Sequence, residues 1–92
     1  MAAASTESKL KQISNELEAR LANDSGVPRN IRKGANDAVA LLMDKQKDTD
    51  LKVSSAISIL ADLSNDSNIP MDSWSVIMQI LSELEIVLKS LN

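Results

Sequence analysis

The chain contains no cysteine and no histidine. Without thiols there is no disulfide, no zinc–thiolate site and no cysteine nucleophile. Without imidazole the commonest metal ligand and the commonest general base are gone. Aromatic residues are reduced to Trp74, with no Phe and no Tyr, so a core has to be built from Leu, Ile, Val, Ala and Met. Leu, Met and Ala favour helix, and Ile and Val are accepted there when packing rewards them. Gly and Pro number two each, too few for the turns of a β protein. No stretch approaches the ~20 apolar residues of a membrane span. Residues Met1–Glu7 carry neither the basic nor the hydrophobic region of a secretory signal, and the expected location is cytoplasmic. The net charge of −3 argues against a general nucleic-acid binder, which carries a basic face.

The 92 residues, 43% of them hydrophobic, suffice for one domain. A chain of this length buries only about 60% of its unfolded surface, so its core must be efficient or shared with a partner.

One phrase occurs twice. Residues 21–28 read Leu-Ala-Asn-Asp-Ser-Gly-Val-Pro, and residues 63–70 read Leu-Ser-Asn-Asp-Ser-Asn-Ile-Pro. Each copy reads as a helix end, a polar turn and a helix start. Asn23 and Gly26 accept positive φ, Pro28 suits the first position of a helix, and Asp24 and Ser25 offer acceptors to its orphan N–H groups. Asn65, Asp66 and Pro70 repeat the pattern. The chain is therefore expected to be a tandem pair of helical hairpins.

Residues 1–6 are small and polar and are expected to be disordered, leaving 7–92 as a single four-helix domain. Ser5 or Thr6 caps the first helix, whose stripe is Leu10, Ile13, Leu17 and Leu21 and which ends near Ala22. The second runs from Pro28 to about Asp44, with Ile31, Ala35, Ala38, Val39 and Leu42 inward. The polar run 44–50 is the obvious loop and divides the halves. The third helix starts with Thr49 or Asp50 as cap and carries Val53, Ala56, Ile57, Leu60 and Leu63. The last runs from Pro70 to about Leu91. Its first stripe is Trp74, Ile77, Leu81, Leu84, Leu88 and Leu91, and Val76, Ile80 and Val87 form a second beside it. Two packings satisfy so wide an apolar face. The helix touches two others inside the bundle, which small bundles need, or it buries its second stripe against another copy. Trp74 is expected in the core, and Ile86, off both stripes, in solvent.

A 42-residue period lies in the HEAT and armadillo range, and Asp24, Val27, Arg32 and Ala35 echo a HEAT spacing. Trp74 replaces the basic residue in the second copy, and two units are too few for a solenoid. The expected fold is all-α: an antiparallel up-down-up-down four-helix bundle made of two tandem helical hairpins.

The phrases 21–33 and 63–70, together with Ala-Ile-Ser-Ile-Leu at 56–60, resemble the small archaeal proteins grouped as uncharacterised protein family 0147. The resemblance covers roughly positions 10–90. It implies a compact four-helix bundle, an archaeal source and no established activity or ligand residues. Trp74 is the departure, standing where a polar or basic residue would match the first copy.

No residue is assigned a catalytic, cofactor-binding or metal role. Asp24 and Asp66 could hold a weak Mg²⁺ or Ca²⁺ for hydrolytic work, but two carboxylates without His make a poor transition-metal site, and a turn role explains them. The i, i+4 pairs Asp62/Asp66 and Asp44/Asp48 read as solvated helix ends. Arg29, Arg32 and Lys33, with Arg20 nearby, form a basic cluster that could contact an anion or RNA phosphate, but it lacks aromatic platforms. Met71 and Met78, with Trp74, could form an adaptable patch, although such residues usually fill cores. The leading expectation is a non-enzymatic helical interaction module, pairing with an unknown protein or with itself through Val76, Ile80 and Val87. The alternative is weak RNA association through the basic cluster.

Overall fold

The computed structural model describes the backbone of residues 2–91 and the side chains of residues 6–91. Helix α1 (Ala2–Leu17) runs directly into a π-helical turn (Glu18–Ala22). It is followed by α2 (Arg29–Leu42), α3 (Thr49–Ser64) and α4 (Met71–Ser90). Because α1 is helical from Ala2, Ser5 and Thr6 lie within it and do not cap it. Of the stretch 1–6 expected to be disordered, Met1 and the side chains of residues 2–5 lie outside the described residues.

Each helix packs on its neighbour in sequence, and α1 closes the ring against α4. The backbones of the diagonal pairs α1/α3 and α2/α4 stay more than 8 Å apart, Cα to Cα, among the described residues. This is the up-down-up-down bundle, 39 × 20 × 18 Å across. It is closed and not a solenoid, because with only two hairpins the ring buries faces that a stack would leave open.

Leu10, Ile13, Leu17 and Leu21 are buried, as are Ile31, Ala35, Ala38 and Leu42, then Val53, Ala56 and Leu60. On α4 both stripes contribute: Ile77, Leu81 and Leu84 from one, and Val76, Ile80 and Val87 from the other. The inward direction of α4 therefore lies between the stripes, which at about 100° per residue passes through Ser73. Ser73 is buried in consequence, and Trp74 falls at the edge of the buried arc and is 39% exposed. The expectation of a core tryptophan is thus corrected. Glu83 and Gln79, roughly 140–180° around α4 from Trp74, meet α1 and the π-helical turn that follows it. Glu83 pairs with Lys9 at 3.0 Å, and Gln79 Oε1 accepts from Arg20 at 3.4 Å. Ile86 is exposed.

The three inter-helix turns are one structure used three times. The residues after the helices, Asn23, Met43 and Asn65, have φ between −97° and −91° with ψ between 0° and 6°. The residues before the next helices, Pro28, Asp48 and Pro70, have φ between −63° and −54° with ψ between 143° and 148°. Between them an aspartate closes an Asx turn. Asp24 Oδ1 accepts the Gly26 N–H at 2.9 Å, Asp44 Oδ1 that of Gln46 at 2.9 Å, and Asp66 Oδ1 that of Asn68 at 2.8 Å. The run 44–50, read as a distinct divider, thus holds a third copy of the doubled turn. The turn needs a carboxylate at its second position and otherwise uses conformations open to most residues. No described residue has positive φ, so neither Asn23 nor Gly26 is present for that freedom. The prolines stand just before their helices, and Asp24 and Ser25 do not cap α2 with their side chains. Asp48, not Thr49 or Asp50, occupies the cap position of α3, also without a side-chain bond.

The π turn has no counterpart in the sequence reading. Its mark is the Asn23 N–H bonded five residues back to the Glu18 carbonyl at 2.8 Å.

Candidate functional site

An up-down bundle places the first and third turns at the same end. One bond joins them: the Asn30 side-chain amide, in the first turn of α2, donates to Asp66 Oδ2. The Asp66 carboxyl is held below its usual value of 3.8, first by the Asn68 main-chain N–H and then by the Asn30 amide, with desolvation opposing. Both hydrogen bonds favour the ionised form. Asp24 and Asp66 thus engage their own turns, and no group of three or more His, Cys, Asp or Glu residues able to hold a metal exists among the described residues. The i, i+4 carboxylate pairs do not form on helices. Asp66 lies beyond the end of α3, and Asp44 and Asp48 both lie in the middle turn.

Arg29, Arg32 and Lys33 share one face of α2 at i, i+3 and i+4, and the cations of the cluster differ in what they engage. Arg29 is exposed. Arg32 folds back, its Nε donating to the Val27 carbonyl at 3.0 Å. Lys33 pairs with Asp37 at 3.2 Å, and Arg20 is engaged by Gln79 on α4.

Val76, Ile80 and Val87 are 7%, 0% and 6% exposed. They are buried within the chain itself, so the stripe expected to meet a second copy is not available to one. The apolar face α4 leaves outside is another: Met71, Trp74 and Met78 are 73%, 39% and 39% exposed. Their i, i+3, i+7 spacing puts them on one side of the helix. The sequence offers this trio either as an adaptable patch or as core filler, and the structure leaves it at the surface.

At the opposite end lies a cleft of about 420 Å³ lined by Glu7, Ser8, Leu10, Lys11, Leu42, Met43, Lys45 and Lys52. Sequence reasoning missed it, together with the burial of Lys52, which is only 9% exposed. No signal in the sequence marks a lysine in the first turn of a helix as buried.

These features define a small antiparallel bundle of two hairpins with an exposed Trp–Met face, a lysine-lined cleft and no recognisable catalytic cluster among the described residues. No helix among the described residues is long and apolar enough to cross a membrane. The chain belongs to the Uncharacterised protein family (UPF0147), whose profile matches residues 1–87. A UPF0147 protein of Pyrococcus horikoshii is 37% identical over 79 residues, covering 86% of this chain and 85% of that protein. One from Methanothermobacter thermautotrophicus is 39% identical over 71 residues, covering 77% and 70%. The fold matches the crystal structure of a protein from this family from Thermoplasma acidophilum with a TM-score of 0.82 at 30% identity, covering 89% of this chain and 96% of that one. A second crystal structure, of a protein of unknown function, matches with a TM-score of 0.79 at 40% identity, covering 84% and 86%. The function of the family is unknown, and nothing in these similarities points to an enzyme or to nucleic-acid binding.

Proposed function

We propose that the protein is a non-enzymatic, cytoplasmic helical module that works through protein contacts, with residues 7–92 as the acting unit. The observation that supports this reading is the exposed stripe of Met71, Trp74 and Met78 on α4. Trp and Met are enriched in protein interfaces, and a thioether adapts to the shape of its partner. The partner to test first is a second copy. Trp74 lies one turn from each methionine, three residues after Met71 and four before Met78, so an antiparallel pairing of two α4 helices lays Met71 of one against Met78 of the other with the tryptophans near the centre. That is the self-complementarity a two-fold interface requires.

Sedimentation velocity over a concentration series tests it. The expected result is a dimer at high concentration that Trp74→Glu abolishes while leaving helical content unchanged. A monomer at every concentration would refute self-association through this face.

A further inference from the structure

The two ends of the bundle are finished differently. At the end holding the first and third turns, Val27 is buried and Ile69 packs against the core. They occupy the same position in their turns. The middle turn has Lys47 there, and its amine turns to Asp44 at 4.0 Å. That end therefore lacks an apolar plug from its turn, and the cleft opens there, with Leu10, Leu42 and Met43 in its lining.

Lys11, Lys45 and Lys52 also line the cleft, and none has a carboxylate within ion-pair distance among the described residues. Lys52 is 9% exposed and sits in the first turn of α3, where the helix dipole disfavours a cation. Its amine donates to one carbonyl, that of Asp44, at 3.3 Å. An ammonium has three N–H donors, and a buried charge is costly unless paired. An anion in the cleft would supply the missing charge. Three lysines against the single carboxylate of Glu7 set the sign of the site, although the chain as a whole is at −3. The volume lies within the range of small-molecule sites, and the lining combines cations with apolar side chains.

We propose that this cleft binds a small amphipathic anion, with its acidic head on Lys11, Lys45 and Lys52 and its apolar body on the exposed Met43, over a floor formed by the buried Leu10 and Leu42. The test is titration of the full chain with octanoate, followed by calorimetry and by amide chemical shifts. Inorganic phosphate and octanol serve as the head-only and tail-only probes. Octanoate is expected to bind more tightly than either, with shifts centred on residues 7–11, 42–45 and 52. Lys52→Met should weaken it about tenfold, the worth of one charged hydrogen bond, and Lys33→Gln at the other end should leave it unchanged. If Lys52→Met fails to fold, the double variant Lys11→Gln/Lys45→Gln reads the same loss. Absent octanoate binding, phosphate binding as tight as octanoate, shifts centred elsewhere, or affinity indifferent to the cleft lysines would each overturn the proposal.

Discussion

Asn30 and Asp66 lie 36 residues apart and are joined by a hydrogen bond from the Asn30 amide to the Asp66 carboxylate. The bond ties the start of α2 to the turn between α3 and α4, linking the two hairpins at one end. It also makes that end sensitive to acid. The folded carboxyl of Asp66 titrates below its usual 3.8. Its contribution is therefore fully present above that value and is lost as the pH falls through the lower folded value. Urea unfolding of the native chain and of Asp66→Asn should differ most at neutral pH and converge below about pH 4. An unchanged gap at pH 3 would show that the ionised form is not what the turn uses.

Gly34 and Leu63 set how closely α2 and α3 approach. A Cβ on Gly34 would lie 2.5 Å from Leu63 Cδ1 and 2.9 Å from its Cγ. Gly34→Ala gains about 1 kcal/mol of helix propensity and incurs an overpacking penalty of about 1–3 kcal/mol. The expected outcome is a net loss of stability in chemical denaturation. In a Leu63→Ala background the same substitution should stabilise, and a double-mutant cycle measures the coupling.

Gly26 occupies its turn without using positive φ, and Asn68 fills the same position in the third turn. The nearest neighbour to an added Cβ is Asp24 Oδ1 at 3.3 Å, on an exposed side chain. Gly26→Asn should raise the thermal midpoint, with a gain of about 0.4–1 kcal/mol from the reduced freedom of the unfolded chain.

Ser14 is 2% exposed, and its hydroxyl has no hydrogen-bond partner among the described residues. An unsatisfied buried hydroxyl costs about 1–3 kcal/mol, and Ala is the better helix former. Ser14→Ala should be stabilising by about 1 kcal/mol or more in urea unfolding. A loss of stability would mean the hydroxyl is satisfied in solution.

The helices were legible because burial imposes periodicity. Leu10, Ile13, Leu17 and Leu21 sit on one face whatever they pack against, and the doubled Asn-Asp phrase marks two of the three turns by composition. The kinship of the middle turn with the other two was hidden because its geometry requires only Asp44 at its second position, so Met43, Lys45 and Gln46 carry no likeness to the other copies. The candidate sites were less legible than the helices. Arg29, Arg32 and Lys33 are neighbours in sequence, but Arg32 and Lys33 turn to different local acceptors. Lys52 looks like any solvated lysine until α1 and α2 close over it.

The sequence by itself determined the helical class, the number of helices and most of the residues that face inward, because these follow from local propensity and from the 3.6-residue repeat. Only the tertiary structure decided which side of α4 is spare. With two apolar stripes the helix could have turned either one outward. The ring closure against both α1 and α3 took Val76, Ile80 and Val87 into the core and rotated Trp74 toward water. The same closure left one end of the bundle unplugged at Lys47, because whether a gap opens depends on how four separate segments meet, and no single segment records that.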